Sequence, residues 1–198
     1  MNHPIRCSCG VLKGTVSKTD VVNRCVCYCT DCQAFAHFLK RNTEILDGLG
    51  GTDIIQTLPK YISFTEGTEN LACMRLTENG LLRWYASCCN TPIGNTHPNF
   101  KTSFVGLIHT CLEAGEGSLA GSFGPIRMHV HTKHAKAEGK VKSVGVAAAI
   151  LRLTGMILRA RFDGSYKITP FFVTETGAPI VSPRVLSLQE LKEVKSAV

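Results

Sequence analysis

The residues best suited to chemistry are the cysteines, of which there are ten in 198 residues. Most lie in tight clusters, at Cys7 and Cys9, at Cys25, Cys27, Cys29 and Cys32, and at Cys88 and Cys89. Thiols spaced so closely are typical of metal sites in a reducing compartment, where disulfides are rare. Cys73 and Cys111 stand alone in apolar stretches, so we expect them to pack in the core as small hydrophobic side chains.

The segment from Cys27 to Cys32 offers three thiolates to one ion. In an extended strand residues i and i+2 point to the same face, so Cys27 and Cys29 can reach one point, and a turn brings Cys32 round to it. The spacing differs from that of ferredoxin cysteines, which favours zinc over an iron–sulfur cluster. Cys25, two residues before Cys27, leaves an alternative open. As a fourth ligand it would close the site, and otherwise the fourth position would be free.

Three motifs carry a resemblance to a known family. They are C-S-C-G at 7–10, C-Y-C-T-D-C at 27–32 and C-N-T-P-I-G-N at 89–95. Their order resembles the glutathione-dependent formaldehyde-activating family, which includes centromere protein V, over residues 5–112. The resemblance implies a β-tent fold of antiparallel sheets that holds two zinc ions.

The same resemblance implies a role for each cysteine cluster. A structural zinc would take Cys7, Cys9 and Cys89, and a second zinc would take the cysteines at 27, 29 and 32, which would line the site of chemistry. Where the family's later C-x-x-C begins, this chain has Ala86. The structural zinc therefore either takes Cys88 as its fourth ligand or lacks one. Gln33 stands where an arginine is usual in the family.

Two functions follow from whether the second site is open. With a free fourth position it would bind a small thiol such as glutathione, and the resemblance implies a carbon–sulfur lyase acting on a glutathione–aldehyde adduct. With Cys25 as fourth ligand the protein would be a non-catalytic, zinc-stabilised binding or scaffold module. Zinc is the only cofactor expected in either case, and the sequence leaves the substrate and the oligomeric state open.

The net charge of +7 is concentrated between Arg127 and Arg161, where eight lysines and arginines face only Glu138. A solvated surface, an anion site for glutathione carboxylates, and contact with nucleic acid or an acidic membrane are the alternatives. We do not expect nucleic acid as a partner, because no aromatic stacking platform accompanies the charge and Trp84 and Tyr85 alternate along a predicted strand. His129, His131 and His134 form a weaker candidate metal site, and His109 is expected in the core.

The start of the chain shows no apolar stretch of the kind that forms a signal peptide. The longest apolar run, Val144 to Leu151, is too short to span a membrane. We therefore expect a cytoplasmic protein without a membrane span.

The elements that position these residues are mainly β. Short strands are expected within 10–16, 21–27, 53–58, 61–65, 71–76, 81–85 and 166–173, with a tight Asn79-Gly80 hairpin turn between the fifth and sixth. A capping box of Thr30 and Gln33 predicts a short helix after the cysteine-rich strand. We divide the chain into a zinc domain at 1–117 and a basic helical extension at 118–198 packed on it. The extension should contain a helix at 141–161 and a C-terminal helix capped by Ser187 and Glu190.

Overall fold

The computed structural model describes residues 2–112, 117–136 and 141–198. The strands in this part of the chain are β1 (His3–Arg6), β2 (Lys13–Val16), β3 (Asn23–Cys27), β4 (Thr52–Thr57), β5 (Ile62–Glu66), β6 (Leu71–Arg75), β7 (Leu82–Ala86), β8 (Thr91–Thr96), β9 (Val105–Ile108), β10 (Met128–Val130) and β11 (Arg184–Val185). The α-helices are α1 (Thr30–Phe38), α2 (Asn42–Ile45), α3 (Leu119–Phe123), α4 (Val146–Phe162) and α5 (Leu188–Ser196). Short 3-10 turns lie at Pro59–Tyr61, Thr68–Asn70, His109–Cys111, Thr132–His134 and Ser165–Lys167.

The strands form two sheets. A three-stranded antiparallel sheet has the order β1-β2-β5, and an eight-stranded sheet has the order β10-β3-β4-β9-β8-β7-β6-β11. The larger sheet is antiparallel in its middle, whereas its two edge strands, β10 and β11, pair in parallel with β3 and β6. The expectation of a mainly β fold with a few helices, one of them at the C-terminus, is confirmed.

The main core fills the space between the two sheets. Trp84 is fully buried there and packs against Phe171 with the two rings tilted and their centroids 5.1 Å apart. Its indole nitrogen donates a hydrogen bond to the Thr96 hydroxyl over 2.9 Å. Apolar side chains from both sheets, including Val16 of β2 and Ile55 of β4, complete this cluster. A second cluster joins α1 to α5 and buries Phe35 and Leu186. The sheets thus hold the cysteine-bearing loops on a rigid frame.

Two capping predictions have different outcomes. Ser187 caps α5 and Glu190 reaches back to its backbone, so the predicted capping box is confirmed. The predicted box at Thr30 and Gln33 is wrong, because Cys29 is the residue that caps α1 and its sulfur accepts a hydrogen bond from the Cys32 amide over 3.3 Å. A cysteine sulfur can accept such a bond at a helix N-terminus as a hydroxyl oxygen does, and here Cys29 takes the capping position instead of Thr30.

Two other local predictions need correction. β6 and β7 do form an antiparallel hairpin, but the connection is longer than a two-residue turn, and neither Asn79 nor Gly80 has a positive φ. Instead the Gly80 amide donates to the Thr77 carbonyl over 3.0 Å. The stretch from Tyr166 to Val173 is not a strand. It begins in a 3-10 turn and makes one isolated β-bridge, between Phe172 and Pro179, while the rings of Phe171 and Phe172 are buried in the core.

The residues after 117 contribute to the larger sheet as well as to the helices. β10 lies beside β3, with Val130 opposite Cys27 in the register. Arg24 of β3 makes a two-oxygen ion pair with Asp53 of β4, and its third nitrogen donates to the Gly124 carbonyl over 3.1 Å. Glu138 and Lys140 of the predicted basic segment lie outside the described residues. None of the described helices is long and apolar enough to cross a membrane.

Candidate metal centres

Four cysteines from two distant loops meet at one point. We call Cys7, Cys9, Cys88 and Cys89 the quartet, and their sulfur atoms all lie within 4.8 Å of one another. The sulfur of Cys88 is 3.8 Å from that of Cys7 and 3.3 Å from that of Cys9. The structure therefore brings Cys88 into the same group as the three other cysteines.

Two tight turns present these thiols. After β1 the Gly10 amide donates to the Cys7 carbonyl over 2.9 Å, and the Leu12 amide donates to the Cys7 sulfur over 3.2 Å. Gly10 has φ +78, a left-handed conformation in which a residue with a side chain is strained, so this turn favours glycine. The second turn joins β7 to β8 and places Asn90 at φ 56 after the cysteine pair. Amide donors aimed at sulfur stabilise a thiolate ligand.

The thiols of the second turn differ in acidity. Burial raises the pKa of Cys89, but hydrogen bonds from Ser8 and Thr91 outweigh it and lower this pKa to about 5. The Thr91 hydroxyl lies 3.1 Å from the Cys89 sulfur. Burial and the neighbouring Cys9 thiol instead raise the pKa of Cys88. The quartet therefore contains one thiol that ionises readily and can begin metal binding.

Three further cysteines form a separate group at the junction of β3 and α1. We call Cys27, Cys29 and Cys32 the trio, and their sulfur atoms also lie within 4.8 Å of one another. Cys27 is the last residue of β3, Cys29 caps α1, and Cys32 lies in the first turn of that helix. The sulfurs of Cys27 and Cys32 are 3.8 Å apart. The strand end and the helix start together form a three-thiolate corner.

Cys32 is the most acidic thiol of the trio. Hydrogen bonds with the thiols of Cys27 and Cys29 lower its pKa well below the ordinary value, and the nearby guanidinium of Arg83 lowers it further. The hydrogen bonds that Cys27 makes with Cys29 and with Cys32, together with burial, raise the pKa of the Cys27 thiol. Among the three thiols of the trio, Cys32 is thus the one whose ionised form its neighbours favour.

Both groups fit a metal ion. A zinc ion with sulfur ligands at about 2.3 Å separates neighbouring sulfurs by about 3.8 Å in a tetrahedron. The sulfur separations of 3.3–3.8 Å in the quartet and 3.8 Å in the trio are close to that edge length. The quartet offers a full tetrahedral set, whereas the trio offers three of four positions.

A cavity of about 470 Å³ lies against the trio. Its apolar wall includes Ile54, Leu81 and Phe104, and its polar wall includes Arg83 and Asn95. Cys25 also lines this cavity but falls outside the trio group, and burial raises the pKa of its thiol. All three residues of the trio line this cavity.

The mouth of the cavity is formed by the segment that follows β10. His131 and His134 line it, whereas His129 lies against the Tyr28 ring with centroids 6.2 Å apart. None of these three histidines belongs to either described metal-binding group, so the structure does not bring them together as ligands. The Gln33 amide donates to the Tyr28 carbonyl over 2.9 Å and to the His134 carbonyl over 3.0 Å. Gln33 thereby joins the trio turn to the cavity mouth.

Arg83 and Asn95 are the functional candidates that sequence reasoning missed. They are 3% and 4% exposed and lie opposite each other on β7 and β8. Arg83 donates to the Asn95 side-chain oxygen over 3.3 Å, and its guanidinium lies 5.4 Å from the Phe35 ring centroid. The available signal was an arginine in an otherwise apolar strand, since such a residue is seldom buried without a partner.

Comparison with known proteins places the chain in a family. A family model described as a family of unknown function, DUF6151, matches residues 2–161. The chain belongs to DUF6151. The matched range of this DUF6151 chain includes both cysteine groups and β10, and it crosses the boundary predicted at residue 117. No curated protein matches it. A crystal structure of a Rhodobacter sphaeroides protein is similar at 16% identity and a TM-score of 0.37, over 56% of this chain and 88% of that one.

Proposed function

We propose that this chain is a zinc-binding carbon–sulfur lyase that acts on a glutathione–aldehyde adduct at the trio. The observation that carries the proposal is the placement of the three sulfurs on the wall of a cavity, with Cys25 outside their group. A site with three protein ligands and an open fourth side is the arrangement of catalytic zinc, whereas structural zinc has four protein ligands. The resemblance to the glutathione-dependent formaldehyde-activating family, with its β-tent fold, supports the same assignment.

Each residue of the site would have a separate role in this reaction. Cys27, Cys29 and Cys32 would hold the ion, and zinc bound there would lower the pKa of a thiol at its fourth position. Three thiolates, a divalent cation and the guanidinium of Arg83 together carry no net charge. This balance would make it easier to admit one further anionic sulfur into a largely buried site.

The reaction would be the reversible joining of a thiol and an aldehyde. The thiolate sulfur attacks the carbonyl carbon, a carbon–sulfur bond forms, and the carbonyl electron pair moves onto oxygen, which takes a proton from water. The reverse sequence cleaves the adduct. The apolar wall formed by Ile54 and Phe104 would keep bulk water from the carbonyl, and the mouth at His131 and His134 leaves room for the rest of the thiol.

We propose a structural role for the quartet. Its four sulfurs fill a tetrahedral set, so no position remains for a substrate. It ties the turn after β1 to the turn between β7 and β8, which belong to different sheets. The scaffold function considered from the sequence would then apply to this site.

The test is the rate at which glutathione and formaldehyde exchange with their adduct, measured by exchange NMR with zinc-loaded protein. We expect an increase over the uncatalysed rate, loss of that increase in Cys29→Ser, and retention in Cys25→Ala. Cys25→Ala is the matched control because it removes a thiol from the same cavity but not from the trio. A rate equal to the uncatalysed control in a protein holding two zinc ions would reject the lyase and favour a scaffold.

A further inference from the structure

A buried cation without a carboxylate partner faces the cavity beside the trio. In the described part of the chain, none of the ion pairs includes Arg83. Its neighbours are the Asn95 amide, the Cys32 sulfur and the Phe35 ring. A guanidinium has five N–H donors in a planar fork, so these neighbours leave donors unused.

Asn95 adds a second donor to the same wall. Since arginine only donates, the Asn95 atom that meets it is the carbonyl oxygen, and the amide nitrogen is the group left to donate elsewhere. Asn95 lines the cavity and is 4% exposed. One charged and one neutral donor therefore converge on a buried pocket, which is the composition of a site for a carboxylate.

The position of Arg83 limits how far this carboxylate can be from the sulfur. Arg83 and Cys32 line the same cavity, and the Arg83 guanidinium is near enough to the Cys32 sulfur to favour its ionised form. That sulfur belongs to the trio. A group that reaches Arg83 must therefore lie within a few bonds of the substrate sulfur. The distant terminal carboxylates of glutathione do not meet this condition, whereas a carboxylate carried on the carbon attached to sulfur does.

The other charged groups at the cavity do not supply this recognition. Asp31 is acidic and is paired with Lys195 over 3.4 Å. His131 and His134 lie at the exposed mouth. Gln56 also lines the cavity, but it is uncharged and its side-chain oxygen accepts a hydrogen bond from Asn23 over 2.6 Å. Arg83 is thus the described cation placed to select a substrate inside the cavity.

We propose that Arg83 and Asn95 bind a carboxylate on the aldehyde-derived carbon, so that the substrate is the thiol adduct of an aldehyde acid rather than of formaldehyde. This inference rests on the proposed function and names its substrate class. The simplest such adduct is that of glyoxylate, in which the carboxylate carbon is bonded to the carbon that bears sulfur. The thiolate attacks the aldehyde carbon, the carbon–sulfur bond forms, and the resulting alkoxide takes a proton from water, while the carboxylate stays unchanged on Arg83.

The test compares short thiols binding to cobalt-substituted protein, followed by the visible absorption of the cobalt ion. Mercaptoacetate carries the carboxylate at the proposed position, and 2-mercaptoethanol has a neutral hydroxyl there. We expect mercaptoacetate to have a dissociation constant at least about tenfold lower, the size of one charge-assisted hydrogen bond. In Arg83→Met the two thiols should have about equal dissociation constants, and in Arg83→Lys part of the preference for mercaptoacetate should remain.

The controls separate this inference from the proposed function. Arg75→Met is the matched variant, because Arg75 lies on neighbouring β6, donates to the Gly80 carbonyl and is not part of the cavity. It should leave the ratio unchanged. If both thiols bind equally in the parent protein, or if the preference persists in Arg83→Met, the proposed carboxylate site is wrong. Binding of either thiol would still support an open fourth position at the trio. If no thiol alters the cobalt spectrum, the open trio itself is wrong and the carboxylate site falls with it.

A second measurement uses the unmodified parent protein and does not depend on any variant folding. Glyoxylate and formaldehyde are each combined with glutathione, and the acceleration by zinc-loaded protein is measured by exchange NMR. We expect acceleration at least about tenfold greater for glyoxylate. An equal or greater acceleration for formaldehyde would overturn the inference.

Discussion

Removing half of the quartet tests how much a metal cross-link contributes to this fold. Cys7 and Cys88 are 81 residues apart in sequence. A link that closes a loop of this length lowers the entropy of the unfolded chain by an amount worth about 4.5 kcal/mol at 25 °C. The double variant Cys88→Ser/Cys89→Ser leaves Cys7 and Cys9 unable to form that link through a metal. We therefore expect the stabilisation due to zinc to fall by about 4.5 kcal/mol.

The assay is urea unfolding followed by the fluorescence of the single tryptophan, Trp84, which is fully buried. Each protein is unfolded with zinc and again with a chelator, so that side-chain effects of the substitutions cancel. Expressed as a melting temperature, the same loss of zinc-dependent stability is about 9–18 °C, because 1 kcal/mol corresponds to about 2–4 °C in a chain of this size. Cys73→Ala, which removes a buried thiol outside both groups, should keep the parent's zinc-dependent gain. If the zinc-dependent gains in the free energy of unfolding of the parent and the double variant differ by less than about 1 kcal/mol, the cross-link is refuted.

Three further predictions concern individual contacts. Cys29→Ser should lower the zinc content measured by elemental analysis from two ions to one per chain. With zinc removed by a chelator, its free energy of unfolding should differ from that of the parent by less than about 0.5 kcal/mol, because serine also caps a helix. If the variant keeps two ions, the trio is not a zinc site. In metal-free protein at pH 6, iodoacetamide should label Cys89 before Cys88, since a pKa of about 5 leaves Cys89 mostly ionised until the pH falls below 5. Peptide mapping that finds Cys88 labelled first would contradict this order. Arg24→Met should lower the free energy of unfolding by about 3 kcal/mol, because it leaves the Asp53 carboxylate unpaired. Adding Asp53→Asn should recover part of this loss. If the two substitutions lower the free energy of unfolding in urea additively, the pair is not coupled.

The sequence predicts the trio well because its geometry is local. A strand end, a cap and the first turn of a helix follow one another within six residues, so spacing alone indicates which sulfurs can converge. The same local reasoning failed for the cap itself. It assigned Thr30 from its usual preference, whereas the sulfur of Cys29 is turned to the helix N-terminus and takes that position.

The long-range parts of the sites were harder to predict. The quartet joins residues from opposite ends of the cysteine-rich region, and the choice of Cys88 depends on how the turn between β7 and β8 is folded. Arg83 and Asn95 meet because β7 and β8 pair in one register, which includes a bulge next to Trp84. A one-residue slip of either strand would turn that strand's side chain to the other face of the sheet and separate Arg83 from Asn95. Residue spacing contains no information about that register.

The pairing of β10 with β3 has a consequence for synthesis on the ribosome. Met128 pairs with Cys25, so the partner strand is made 128 − 25 = 103 residues later. Because synthesis adds about 5–20 residues per second, one edge of β3 remains unpaired for roughly 5–20 s. During that interval its free backbone groups can pair with another chain, and its thiols are open to oxidation. The nascent chain is therefore most vulnerable to aggregation just before β10 emerges, long after the cysteines of both groups have been made.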